Sequence, residues 1–442
     1  MYKIALIGQD IPTLLPTLLA DLLFAAKQPA TLTLEEKNPA MQELLQGYAD
    51  AIFKKASIGG SLTVSEDRQT VLSGADCVLY AGDCMAASRF FMDRSALGCD
   101  DEKGEPADDD PAAGLLDQAR VNGGIGGLMH TLRAGEYVLQ LCEAMDEACP
   151  DALVINLGQP VARTTEIFLS RGYACYGLGR TPLRGANGLD TLAKRLRLKP
   201  AAVEATIAGL PGFAFLLSLH ETETGADLLP KLRKAAEKGE LGKLSARWAE
   251  WWDALPVGDV TDHAEFLPAQ PDFIPEEKPE FGETVEKRKD RILYMNTVRE
   301  KGADEREGAM AQLLLLSKAP PIRPMKLALA LLGHETVELP AVVRKNGREL
   351  PQLSPNAIIE SALTLEDGVP VPHGTLLPPA LADIMSEIDE TSRLAARAAT
   401  GDRGALRECI EIDPALSGLD RIYCQDLVDK MIEMHNDVIE RL

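Results

Sequence analysis

Residues 8–12, Gly8-Gln9-Asp10-Ile11-Pro12, follow an apolar run and precede a helical stretch over residues 14–26. A turn in that place can present backbone N–H groups to a pyrophosphate, as a dinucleotide-binding G-x-G-x-x-G loop does. Only the first glycine of that pattern is present, and Asp10 brings a negative charge to where a phosphate would sit. An ordinary βα turn is the equal alternative. Glu35 closes the next strand, near the position from which an acid holds a ribose hydroxyl. Asn156 ends the apolar run Ala152-Leu153-Val154-Ile155 and leads into Leu157-Gly158-Gln159-Pro160, while residues 179–182 follow the strand over residues 173–177. Ligands of parallel α/β sheets bind where strands end, so both loops are expected to face one. Gly8, Gln9, Asp10, Ile11, Glu35 and Asn156 are the candidate cofactor-binding residues.

The elements that must position these residues alternate. Strands are expected over residues 3–8, 31–34, 61–64, 75–80, 152–156 and 173–177, with helices between them. The pattern predicts an α/β chain: a Rossmann-like parallel sheet in an N-terminal domain of residues 1–185, followed by an α+β domain over 186–442 for substrate or oligomerisation. In the second part, residues 208–216 read as a strand and Asn346-Gly347 as the turn of a hairpin. The proline-rich residues 256–282 read as a lid or linker. Residues 380–399 and 420–442 read as closing helices. The acidic residues 100–111 read as a solvated loop on the rim of the sheet.

Composition narrows the function classes. The chain has 442 residues and a formal net charge of −22, which argues against nucleic acid or an anionic membrane as partner. No stretch approaches the ~20 apolar residues of a spanning helix. Eight scattered cysteines without CxxC pairing predict a reducing, cytoplasmic location.

Taken in order, the motifs resemble glycoside hydrolase family 4. They include Gly74-Ala75-Asp76, Gly126-Gly127 with Leu132-Arg133, Cys149-Pro150-Asp151-Ala152 followed by Ile155-Asn156 and Gln159-Pro160, and Ala208-Gly209-Leu210. Further on come Asn346-Gly347, Ile358-Ile359-Glu360, Gly374-Thr375-Leu376-Leu377-Pro378, Asp413-Pro414 and Ser417-Gly418-Leu419. The resemblance implies NAD as cofactor, a small sugar or sugar phosphate as partner, a homodimer, and redox-assisted elimination at a glycosidic bond. In that chemistry a divalent metal such as manganese holds an enolate, and a tyrosine removes the proton.

The residues for that chemistry are missing from the matching positions. The metal cysteine falls on Gly179 and its acidic neighbour on Arg180. The metal histidine falls on Gly212, and the tyrosine segment falls near residues 263–281, which hold no tyrosine. Manganese is therefore not expected. Arg133, Arg163, Arg180 and Arg184 are expected to converge on the sugar position, where guanidinium forks suit phosphate or carboxylate; solvated arginines are the equal alternative. Asn156, Arg180 and Arg133 are the candidates for a catalytic role. Two readings stay open: a metal-independent or impaired family-4-like glycosidase, and a non-catalytic sugar- or nucleotide-binding paralogue acting as a regulatory subunit.

Overall fold

The computed structural model describes residues 1–82, 86–98, 120–179, 181–183, 185–270, 272–273, 285–302, 308–318 and 323–442. The acidic segment 100–111 lies outside them. The strands are β1 (Tyr2–Ile7), β2 (Ala30–Glu35), β3 (Gly60–Ser65), β4 (Cys77–Tyr80), β5 (Leu153–Asn156) and β6 (Cys175–Gly177), then β7 (Val203–Leu210), β8 (Phe213–Glu221), β9 (Leu255–Pro256), β10 (Val337–Lys345), β11 (Ile358–Glu366) and β12 (Val369–Val371). They form one sheet in the order β3-β2-β1-β4-β5-β6-β10-β11-β7-β8-β9, with β12 against β11.

The first six strands pair in parallel. Their order 3-2-1-4-5-6 is that of a Rossmann sheet. Alternation along β1 explains the two covering layers. Ala5 and Ile7 face a core shared with Val78, Val154 and the Gly124–Ala148 helix, whereas Ile4 and Leu6 face the core of the Ile11–Asp21 helix. All four are fully buried, and each large apolar side chain so buried contributes about 1.5–3 kcal/mol.

From β6 the sheet continues antiparallel without a break, because Gly177 pairs with Val343 of β10. Three expectations are corrected in this half. Residues 208–216 are not one strand: Pro211-Gly212 folds β7 back on β8 as a tight hairpin, with Gly212 at φ +83°. Asn346-Gly347 does not make a two-residue turn, since β10 and β11 are joined by residues 346–357. Asn346 organises that loop by donating to the carbonyls of Leu350 and Ser354 at 2.9 Å and accepting the Leu350 N–H at 2.8 Å.

The expected lid or linker over 256–282 is built into the body of the protein in its first part. Pro256 pairs with Phe215, the Val260–Ala264 helix follows, and Phe266 and Leu267 are core residues. Residues 274–282 lie outside the described residues. Finally, the closing helix runs over Arg421–Met434, and the chain after it folds back against the Gly124–Ala148 helix through Arg441, which donates to Glu136 and Glu143.

Candidate functional site

The carboxyl edge of β1, β4, β5 and β6 gathers the candidate residues. At the first turn Gly8 adopts φ +123°, and a Cβ there would lie 2.1 Å from the Ala81 carbonyl oxygen. Only glycine fits such an approach. The turn spends its own donors. Asp10 N–H donates to Ala81 O at 3.1 Å, Ile11 N–H to Gly8 O at 3.2 Å, and the amides of Thr13 and Leu14 to Asp10 O. Pro12 has no N–H. The helix N-terminus that would normally receive a pyrophosphate is therefore largely satisfied from within. Asp10 sits at the N-cap position without capping through its side chain.

Glu35 reaches the edge already paired. Arg68 Nε donates to its two carboxylate oxygens at 3.2 and 3.1 Å. The same guanidinium donates to the Tyr137 hydroxyl at 3.1 Å and stands 5.1 Å from that ring's centroid. Tyr137 in turn stacks on Tyr80 at 5.8 Å. Gln9, Tyr137 and Gln140 line an open cleft of about 300 Å³ beside this group, together with Glu136, Asp437, Val438 and Glu440.

Asn156 does not face a ligand with its side chain. It is fully buried. Its amide nitrogen donates to the hydroxyls of Thr164 and Thr165 at 2.9 Å, and its carbonyl accepts the Gly158 N–H at 2.8 Å. The residue braces the turn between β5 and the Val161–Ser170 helix, and thereby sets the path of residues 157–160. Asn156→Leu should strand these groups and destabilise the fold by about 2–4 kcal/mol, since each buried partner left unmade costs ~1–3 kcal/mol. Urea unfolding measures this, and a loss under about 1 kcal/mol would show that the brace is dispensable.

The described arginines are also committed elsewhere. Arg133 is buried and bidentate to Asp93, at 3.1 and 2.7 Å. Asp93 also contacts His435 Nε2 at 2.7 Å. Burial alone would push the Asp93 carboxyl up, but His435 and Arg133 together hold it below the usual range. Arg163 is buried and donates to Thr131 Oγ1 at 2.9 Å. The expected convergence of Arg133 and Arg163 on a sugar site is thus corrected: both are interior ties of the helical layer. Arg180 and Arg184 lie outside the described residues. His130 is buried beside Arg133, with no partner for Nε2 among the described residues, and burial followed by the Arg133 charge depresses its pKa to about 3.

Three buried acids were given no role of their own in the sequence reading. Glu265 accepts the amides of Val121 and Asn122 and the Asn122 side chain, and Asp413 accepts the Gly124 N–H at 3.2 Å. These two carboxylates clamp the glycine-rich loop 121–127. A Cβ at Gly123 would come within 2.0 Å of Glu265 O, which explains the glycine. The third acid is Glu360, fully buried on β11. A Cβ added at Gly179 would meet Glu360 Oε1 at 2.7 Å, and the Gly212 amide also lies beside this carboxyl. Burial, opposed by the Gly212 backbone N–H and helped by the Asp262 charge, raises the Glu360 pKa to about 8. The available signal was a lone acid inside the apolar run Ala357-Ile358-Ile359-Glu360-Ser361-Ala362-Leu363.

A divalent metal does not fit the described residues at these two positions. Gly179 and Gly212 offer no side-chain ligand, and the space in front of Gly179 is taken by Glu360. Among the described residues no group of three or more His, Cys, Asp or Glu is placed to hold an ion. No described helix is long and apolar enough to cross a membrane.

The sheet order defines an α/β protein of the Rossmann-like kind. Its likeness is to family 4 glycosyl hydrolases, whose family model matches residues 105–175. The α-galactosidase of Bacillus subtilis (strain 168) is 29% identical over 121 residues, which is 27% of this chain and 27% of that protein. The matched stretch spans about a quarter of that relative. Over the whole length the likeness is one of fold. A 6-phospho-α-glucosidase from gut microorganisms, solved with NAD and Mn2+, superposes with a TM-score of 0.75 at 15% identity, covering 99% of this chain and 98% of the other. The 6-phospho-β-glucosidase of Thermotoga maritima, solved with NAD and glucose 6-phosphate, gives 0.69 at 15% identity over 99% of both chains. The chain resembles family 4 in sequence and in fold.

Proposed function

We propose that this chain is a family-4-like glycosidase that takes NAD and a small sugar or sugar phosphate along the carboxyl edge of β1, β4, β5 and β6, without a divalent metal. The observation that carries the reading is the closure of Glu360 on Gly179, where the resemblance puts a metal ligand. NAD would lie against Gly8–Ile11 with Glu35 toward the ribose, and Arg180 is the candidate electrophile. The wider setting is a cytoplasmic homodimer without nucleic-acid or membrane partners, and the charge of −22 supports the absence of those two partners.

The second reading, a non-catalytic binding or regulatory paralogue, is favoured by a separate observation: the spent amides of residues 10–14 and the Arg68–Glu35 pair. Both features weaken a dinucleotide's usual anchors. Calorimetric titration of the metal-stripped protein with NAD, repeated with manganese, separates the two. Micromolar affinity unchanged by manganese supports the metal-independent enzyme. No binding at millimolar NAD leaves the paralogue. Affinity that requires manganese would refute the assignment of Gly179 and Gly212 to the metal positions.

A further inference from the structure

We propose that Glu35 and Arg68 together select the dinucleotide: Glu35 takes the ribose diol of NAD, and the Arg68 guanidinium is a site for the 2′-phosphate of NADP that Glu35 holds shut. The inference rests on the dinucleotide-binding reading above and extends it to the choice between two cofactors.

Chain position is the first support. Glu35 closes β2 beside Ser65, the last residue of β3, and Arg68 opens the Arg68–Leu72 helix just beyond. In a Rossmann sheet an acid at that strand end accepts from the ribose 2′-hydroxyl, whereas a nearby arginine accommodates a 2′-phosphate. This chain has both, and they are bonded to each other. A single guanidinium N–H, that of Nε, is shared between the two carboxylate oxygens at 3.2 and 3.1 Å. A carboxylate offers about four lone-pair sites, so Glu35 keeps acceptors for a diol while it holds the arginine.

The second support is what remains of the guanidinium. Nη2 donates to the Tyr137 hydroxyl at 3.1 Å, and the cation stands 5.1 Å from the centroid of that ring, which stacks on Tyr80. These contacts hold the fork in one place. The Arg68 side chain is still 23% exposed, and its Nη1 has no hydrogen-bond partner among the described residues. It is open to a ligand oxygen, and a guanidinium suits a phosphate.

Charge decides between the two ligands. A phosphate monoester carries about −1.5 to −2 at neutral pH. At this edge it would meet Glu35, and also Glu36 and Asp67, whose carboxylates accept the N–H groups of Asn38 at 2.8 Å and Thr70 at 3.0 Å. The Arg68 charge is already neutralised by Glu35. A phosphate is thus repelled where a neutral diol is accepted, the unfavourable element on which discrimination between close relatives depends.

Calorimetric titration of the full chain with NAD and with NADP tests the proposal. The native chain should bind NAD at least ~10-fold more tightly than NADP. Glu35→Ser removes the acid and frees Arg68, so it should bind NADP at least ~10-fold more tightly than the native chain does and prefer it to NAD. Adding Arg68→Met should abolish that gain. Glu35→Gln, at nearly constant volume, should reduce the preference for NAD to less than about threefold. A pair that merely ties the two strand ends together would lower the Tm of these variants and leave the ratio of the two affinities where it was. An unchanged ratio in both Glu35→Ser and Glu35→Gln, with NAD still bound, would overturn the inference and spare the functional reading. Equal native affinities for the two dinucleotides would do the same. A gain in NADP affinity that survives Arg68→Met would remove Arg68 from the site. A native chain that binds neither dinucleotide brings down the functional reading and this inference with it.

Discussion

Replacing Arg133 by methionine should destabilise the protein by about 3–5 kcal/mol, the usual cost of removing one partner from a fully buried ion pair. Both side chains of the Arg133–Asp93 pair are essentially without solvent contact, at 0% and 1% exposure. Methionine fills most of the arginine stem but leaves the Asp93 carboxylate with His435 as its one side-chain partner among the described residues. The loss is expected to spread, because His435 anchors the chain end and its Nδ1 contacts Arg89 at 3.2 Å. Asp93→Leu together with Arg133→Met should recover a substantial part, since apolar replacement of a whole buried pair is often neutral. Chemical denaturation of the two single variants and the double variant measures this. A cost below about 1 kcal/mol for Arg133→Met would show that the pair is not a structural tie.

The second large effect is one of pH. His130 has its folded pKa depressed to about 3, by burial first and the Arg133 charge second, against an unfolded value near 6.5. Between those values the unfolded chain binds a proton that the folded chain refuses. Stability is therefore fully present above about pH 6.5 and drains away as the pH falls toward 3. At ~1.4 kcal/mol per pKa unit the loss reaches roughly 5 kcal/mol. His130→Gln removes the titrating group, so its unfolding free energy should fall less steeply over that window. A variant that follows the native curve throughout would assign the acid sensitivity to other groups.

Arg133 and Asn156 also show what the sequence could and could not convey. The parallel half was legible because apolar runs of four to six residues, alternating with helical stretches, admit few arrangements. Gly8 was legible because a tight βα turn needs it. The roles of Arg133 and Asn156 were not. A polar residue at a strand end or on a helix has the same letter whether it faces a ligand or a buried partner, and Asp93 and Thr164 lie 40 and 8 residues away in the chain. Glu360 was quoted as part of a motif, yet its contact with Gly179 depends on β10 and β11 joining β6, which no local pattern encodes. The Pro211-Gly212 turn carried a signal that the hydrophobic profile outweighed: a Pro-Gly pair marks a turn, yet the apolar residues on both sides read as one buried strand.

That late arrival of β10 has a consequence for how the protein is made. Among the described residues the free edge of β6 pairs with Val343 of β10, so the parallel half emerges from the ribosome with an open hydrogen-bonding edge next to Cys175 and Tyr176. Roughly 160 residues of synthesis separate edge from cover, on the order of 10–30 s at ~5–20 residues per second. During that interval the nascent sheet is a template for pairing with other chains. Its brevity, three residues, is the main protection it has, and crowded translation of this chain should depend on chaperones until β10 is released.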